Sequence, residues 1–459
     1  MIRWKQANGI KVVLSAGLNR VAVLVILCIL VLAACRESGF DGSAAVSDLD
    51  ELMQNLVLAR DQGGAGLQNP VVAVMIPDER FEYEFASGRA LAWTEGPMTT
   101  AHQFHTASVS KTFTATLILQ LAEEGQLGPN GLDASLGELG VFDDAILDRL
   151  HIVDGVSFGS QITIRQLLLH SSGLKDQFGD DANGTESDYG GKPAPGGLIS
   201  LLQHDIPAHM ACRQDPDCDG NSLITRKRWK HWDPERPDDP MAGMLNFYIN
   251  QMAQAGVCEP GSCYHYSDIG YVILALTAEK ISGKSLHGLL RERIFDPLGM
   301  NSSYLAYGVN PDSSAWEYKP SDFDLSGIPA VSAGINLSFD WGGGGVVATA
   351  AELNRYFRAL LEGQLFSDPQ TLAEMLDWQV IPGMEENKTG IGLGLFRMRG
   401  PDGQDFWVKY GAWGSGMLFD PEAGSYVSGT TNMLFGPRDW WTKIVVVLRE
   451  ARSQTIEGE

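Results

Sequence analysis

The chain has 459 residues, of which 44% are hydrophobic and 20% charged. That supply of apolar side chains builds a large core and excludes a disordered chain. A formal charge of −23 makes a surface that repels phosphate backbones, so no nucleic-acid partner is expected.

At the N-terminus, Arg3, Lys5, Lys11 and Arg20 precede the apolar run VAVLVILCILVLAA over residues 21–34. The run is short for a bilayer span and suits the hydrophobic region of an export signal. It ends in Leu32-Ala33-Ala34-Cys35, which resembles a bacterial lipobox. The resemblance implies cleavage before Cys35, lipidation of that cysteine and a tethered rather than spanning protein. Arg36, where an aspartate would mark inner-membrane retention, points to the outer membrane. An ordinary secretory signal is the other reading. Residues 1–34 are thus expected to be removed, with 35–46 as a tether.

A helical pattern follows over Asp48–Ala59. VVAVMI at 71–76 reads as a buried strand and FEYEFASG as its hairpin partner. SKTFTATLILQLAEEG from Ser108 is apolar on nearly all sides, a buried helix stopped by Gly125. ITIRQLLLHSSGL at 162–174 reads as a strand-like entry, a helix and a glycine turn. YVILALTAEKISG at 271–283 is another buried helix, and a further one starts near Thr349. Strands are then expected at Gly392–Met398, Phe406–Tyr410, Met417–Phe419 and Tyr426–Thr431, between Gly, Asp and Pro turns. The tail WWTKIVVVLREAR is ambiguous: its valines favour a strand, its length and charged end a helix.

The stretch between Gly173 and Tyr264 is far longer than a usual connection. It holds Cys212, Cys218, Cys258 and Cys263. An even number in an exported chain implies two disulfides, and of three connectivities the spacing favours 212–218 with 258–263. Zinc is the weaker alternative, because no C-x-x-C occurs. RKRWKHW at 226–232 is a basic, aromatic island in an acidic chain. A solvated insertion is the favoured reading, a lid or a contact to an anionic polymer the other.

Chemistry is carried by Ser108-x-x-Lys111. Residues three apart share a helix face, so the lysine can take or stabilise the hydroxyl proton of a serine at a helix N-terminus. Tyr266-Ser267-Asp268 supplies a tyrosine whose pKa a nearby lysine can lower, fitting it as general base and then proton donor. Two triplets compete for a third element, Lys388-Thr389-Gly390 and Lys409-Tyr410-Gly411.

Taken in order, HTASVSKTFTATLILQLAEEGQL, ITIRQLLLHSSGL, PGSCYHYSDIGYVILALTAEKISGKSL and RERIFDPLGMNSSY resemble the β-lactamase-related serine hydrolases of the class C type. Their relatives include esterases, D-alanyl-D-alanine carboxypeptidases and D-amino-acid amidases. The resemblance covers nearly all of the chain from about residue 50. It implies an α+β fold: an antiparallel sheet flanked by helices, built from 47–118 and 340–455. A mostly helical part over 119–339 would carry the cysteine-containing insertion, 175–263. It implies acyl transfer through Ser108, with Lys111 and Tyr266 sharing acid–base work and the Ser108 and Ala412 N–H groups forming an oxyanion hole. No metal or organic cofactor is implied. TGIGLGLFRM at 389–398 matches the family's preceding strand, which leaves Lys388-Thr389-Gly390 a chance match in a loop before it. Lys409-Tyr410-Gly411 then becomes the third element, with Lys409 adding positive charge near the substrate.

Two departures bear on specificity. Asp268 stands where asparagine is usual. A carboxylate there favours a protonated Lys111, shifts the base role to Tyr266 and cannot donate to an acyl-amide carbonyl. Tyr410 stands where a small hydroxyl residue would bind a penicillin carboxylate. Asp268, Lys409, Tyr410 and Gly411 are therefore the expected substrate contacts, and a small ester or amide is favoured over a β-lactam. Alternatives are a β-lactamase or D-alanyl-D-alanine carboxypeptidase, with peptidoglycan-related substrates, and a non-catalytic cell-wall-binding module. Other motifs are set aside. His170 reads as a packed structural residue. Ser282-Gly283-Lys284-Ser285 lacks the first glycine and the strand of a P-loop. Asp215-x-Asp217-x-Asp219-Gly220 lacks the closing glutamate of a calcium loop. The four glycines at 342–345 are expected to shape the edge of the site.

Overall fold

The computed structural model describes residues 40–61, 66–94, 96–180, 198–218, 229–306, 320–325, 327–400, 402–437 and 439–453. The export-signal segment, Cys35, Asp219, Gly220 and Arg226–Arg228 lie outside them.

Both chain ends build one antiparallel sheet of seven strands. Its strands are β1 (Val71–Ile76), β2 (Phe81–Ala86), β3 (Lys388–Ile391), β4 (Phe396–Arg399), β5 (Asp405–Tyr410), β6 (Ser415–Asp420) and β7 (Ser425–Thr430), in the spatial order β3-β4-β5-β6-β7-β1-β2. Strand β1 closes the sheet by pairing Val71 with Thr430. All six residues of β7 are buried, so helices cover both faces there. Helix α1 (Gly42–Asp61) and the C-terminal helix, α5 (Trp440–Ser453), lie together on one face. The α5 residue Trp441 occupies the space that a Cβ on Gly416 would take. Helix α4 (Ala350–Leu361) lies on the other, where Phe357 meets Tyr426 edge to face. Period-two alternation requires opposite faces: Gly416 and Phe419 lie three apart on β6, and Phe419 pairs with Tyr426.

The central helix is α2 (Ser110–Glu123), buried from Ser110 to Leu121. Its Phe113 stacks on Tyr356 of α4, with centroids 3.7 Å apart. Beside it runs α3 (Asp268–Ser282), closed by Gly283 in the left-handed conformation. Short strands at Phe104–His105, Tyr304–Leu305 and Val346–Ala348 form a second sheet that holds the entry to α2.

Several expectations need correction. The segment expected as a tether is helical from Gly42 onward. The ambiguous tail is helix α5, because Trp440, Trp441, Ile444, Val445, Leu448 and Ala451 are buried at helical spacing. The strand expected at Gly392–Met398 is a hairpin: β3 ends at Ile391, Gly392 N–H donates to Leu395 O, and Gly394 turns at φ +91°. A Cβ there would stand 2.7 Å from that of Ala115. Lys388-Thr389-Gly390 thus opens an edge strand rather than lying in a loop.

The long insertion is more than a solvated loop. It contains helices at Leu198–Cys212 and Met244–Gln251, and Trp229, Phe247 and Tyr248 join the main core. Of the basic island, Trp229 is buried and His231 stacks on Trp341 at 3.6 Å, while Lys230 stays exposed. The cysteines pair as 212–218 and 258–263, with Cα separations of 5.3 and 6.3 Å. Asp217 N–H caps Asp215 Oδ1 in a local turn.

Candidate active site

The chain enters α2 through a tight turn. Ala107 has φ +44°, an unusual value for a residue with a side chain, and Ser108 follows in a single 3₁₀ turn. The turn is fixed from behind. Thr106 N–H and Oγ1 both donate to Val346 O, at 3.0 and 2.8 Å, and Val346 N–H donates to Ser110 Oγ at 2.9 Å. From the sheet, Ser415 Oγ donates to Thr106 O at 2.6 Å. Gly411 meets this turn so closely that a Cβ on it would come 2.8 Å from that of Ala107 and 2.5 Å from Thr106 O.

Three elements converge on Ser108 Oγ. Tyr266 OH donates to it at 2.8 Å, and Lys111 Nζ at 3.1 Å. Lys111 is fully buried, donates to Gly343 O at 2.8 Å and forms an ion pair with Asp268 at the start of α3. The glycine run therefore carries an acceptor for the lysine as well as shaping the edge. Gly342 O similarly receives Thr114 Oγ1. His170 stacks on the Tyr266 ring at 4.2 Å and accepts Ser267 N–H on Nδ1. Burial, reinforced by Lys409 and Lys111, pushes its pKa well below the usual histidine value, so it is a neutral packing partner.

The tyrosine departs from expectation. Burial first and Asp268 second push its phenol well above the usual value, and only the Ser108 hydrogen bond opposes them. At rest Tyr266 is thus a proton donor, not a phenolate base. Lys409 departs as well. Its ammonium is fully buried, has no hydrogen-bond acceptor among the described residues, and lies over the Tyr266, Tyr271 and Phe396 rings at 5.6, 5.9 and 4.6 Å. Burial and the charges of Lys111 and Lys388 hold its pKa well below that of a free lysine. It does not line the cavity, and neither does Gly411, which serves close approach instead.

The cavity in front of Ser108 has a volume of about 290 Å³, small for a ligand pocket. Asp268 and Tyr410 line it, as expected for substrate contacts, and so do Ser108 and Ala412. No turn or cap hydrogen bond of the described residues takes the N–H of Ser108 or Ala412, so both can serve an oxyanion. Three charged lining residues, Asp176, Asp340 and Glu385, were missed in the sequence, and Lys388, set aside there as part of a chance match, lines the cavity as well. Lys388 donates to Tyr264 OH at 3.1 Å and pairs with Glu385 at 2.6 Å. Asp176 lies two residues past Leu174 of the HSSGL stretch, and Asp340 two residues before the glycine run. Their nearness to those stretches was the available signal. Among the described residues no group of carboxylates, histidines or cysteines could hold a metal ion.

A serine under a lysine and a tyrosine, on this sheet-and-helix frame, brings together the groups that acyl transfer through a serine requires. The Beta-lactamase family profile matches residues 58–447, and the chain belongs to that family of serine hydrolases. It is 25% identical to penicillin-binding protein 4 of Amycolatopsis lactamdurans over 48% of this chain and 41% of that protein. It is 26% identical to the D-aminopeptidase of Brucella anthropi over 58% of this chain and 37% of that protein. The chain thus spans about two-fifths of the length of these relatives. A D-stereospecific amidohydrolase from Streptomyces sp. has the same fold, with a TM-score of 0.60 and 22% identity over 88% of this chain and 97% of that one.

Proposed function

We propose that the protein hydrolyses small amides or esters through an acyl-enzyme on Ser108. The observation that carries this reading is the meeting of Tyr266 OH and Lys111 Nζ on Ser108 Oγ in a lined cavity. Lys111 lies within hydrogen-bond reach of both Ser108 and Asp268. One proton can therefore pass from the serine hydroxyl through the amine to the carboxylate as Oγ bonds to the carbonyl carbon. The Ser108 and Ala412 N–H groups receive the oxyanion. Tyr266, a neutral donor, protonates the leaving nitrogen or oxygen and recovers its proton from the Lys111–Asp268 pair. Water then cleaves the acyl-enzyme by the reverse path.

An amide is favoured over a β-lactam, because the similar proteins include an aminopeptidase and an amidohydrolase and because Tyr410 narrows the cavity. The second reading, a D-alanyl-D-alanine carboxypeptidase, draws on Lys388, whose ammonium at the cavity wall suits a substrate carboxylate. A non-catalytic cell-wall module has no use for a hydrogen-bonded serine, lysine and tyrosine. The apolar run before Cys35 supports a lipid-anchored enzyme of the bacterial envelope.

The test is p-nitrophenyl butyrate hydrolysis by the chain from residue 38 onward, beside Ser108→Ala. Turnover that vanishes in the variant is the expected result. Equal rates in both proteins rule out Ser108 as nucleophile. Nitrocefin and D-alanyl peptides then rank the two readings.

A further inference from the structure

The charges lining the cavity do not balance. Glu385 is paired with Lys388, and Asp268 with Lys111. Asp176 accepts the Asp268 and Phe178 N–H groups on Oδ1, at 3.1 and 3.3 Å. Burial, with the Asp268 charge beside it, pushes its carboxyl well above the usual range. Asp340 remains. It is 93% buried and lines the cavity, and no hydrogen bond from a described residue reaches its carboxylate. The Trp413 indole N–H faces it without closing one. A buried carboxyl without a charged partner shifts toward its neutral form, and Asp340 is pushed up to about 7; a ligand ammonium would restore its charge.

We infer that Asp340 is the anchor for a protonated amine on the substrate, in the cavity that holds Ser108. This rests on the acyl-transfer reading above and narrows it to amides and esters whose acyl or leaving part carries a free ammonium. The backbone places the two functions together. Asp340 lies three residues before Gly343, whose carbonyl holds Lys111, so the anchor and the lysine that activates the serine are set by one turn. The turn is rigid, since Gly343 and Gly344 N–H both donate to Asp340 O. A Cβ on Gly344 would also strike the Asp340 carboxylate, so the glycine run leaves the space this side chain occupies. Asp176 lines the same cavity and offers a further polar contact there. Asp340 and Ser108 line one cavity of about 290 Å³, so a single small molecule can meet both.

The test compares alanine p-nitroanilides of both chiralities with their N-acetyl forms, at neutral pH, in the wild type and Asp340→Asn. The free amine is expected to be preferred in kcat/KM by about tenfold or more, the scale of one charge-assisted hydrogen bond. In Asp340→Asn the ratio is expected to fall to about one. Wild-type hydrolysis of p-nitrophenyl butyrate separates the two claims. If the ester is cleaved but the amine brings no preference, the anchor is wrong and acyl transfer stands. If neither ester nor anilide is cleaved, acyl transfer itself fails. Thermal shifts with benzylamine and benzyl alcohol give a readout independent of turnover. Benzylamine alone should raise the wild-type Tm, and equal shifts overturn the proposal.

Discussion

Tyr266 and Asp268 show how one residue type resets its neighbour. With a carboxylate at 268, the phenol is driven toward its neutral form and the lysine is tied into an ion pair. Tyr266→Phe removes the donor to Ser108 and the acid for the leaving group, so kcat should fall roughly 10²- to 10⁴-fold with KM little changed. A fall of less than about threefold would assign all proton handling to Lys111 and Asp268. Asp340 gives a stability prediction with a definite sign. Burial and Asp268 raise its pKa from the usual 3.8 to about 7, so the native state binds this proton more tightly than the unfolded chain. Its contribution is complete below the unfolded value and is lost as pH rises through about 7. Asp340→Asn should therefore raise Tm more at about pH 8 than at about pH 5. The ceiling is on the order of 4 kcal/mol for a shift of this size, at about 1.4 kcal/mol per pKa unit. A larger gain at the acid end contradicts the assignment. Ser108 and Lys111 were legible because i,i+3 spacing on a buried helix is a local signal. Asp176 and Asp340 were not, since a lone aspartate has no spacing and acquires meaning only when the fold closes around it.

At the level of elements, alternation and glycine turns located β5, β6 and β7 within a residue or two of their observed ends. The β3–β4 hairpin escaped because IGLGLF has a strand's apolar content, and only packing against α2 reveals Gly394 as a turn. The burial of Lys409 escaped for a similar reason: strand phase gives a side, not what waits there. The Cys258–Cys263 loop delivers both tyrosines of the site. Gly261 N–H donates to Ser171 O, Tyr264 N–H to Pro382 O and His265 N–H to His170 O. Replacing both cysteines with serine should cost about 2 kcal/mol, the low end for a short loop. It should also lower kcat by loosening Tyr266. Loss of Tm with kcat intact would limit the disulfide to stability. Reduction of the wild type should reproduce the variant.

The whole molecule combines an acidic surface with a strongly apolar start. Cys35→Ser is expected to release the protein from the membrane fraction and abolish incorporation of labelled palmitate. Unchanged fractionation would favour a plain secretory signal. The family and its fold were readable from a few stretches spread along the chain. The amine anchor was not, because it depends on which charges are left unpaired after the others have met.

The sheet also dictates when the enzyme can come into being. Ser108 is synthesised long before its supports: its turn is braced by Ser415, the Ala412 N–H proposed for the oxyanion lies on the same late segment, and β1 finds its central partner only in β7. A growing chain that already carries Ser108 lacks these supports until β6 and β7 have emerged. A chain stopped before β7 is therefore expected to leave p-nitrophenyl butyrate uncleaved, however intact its Ser108 helix.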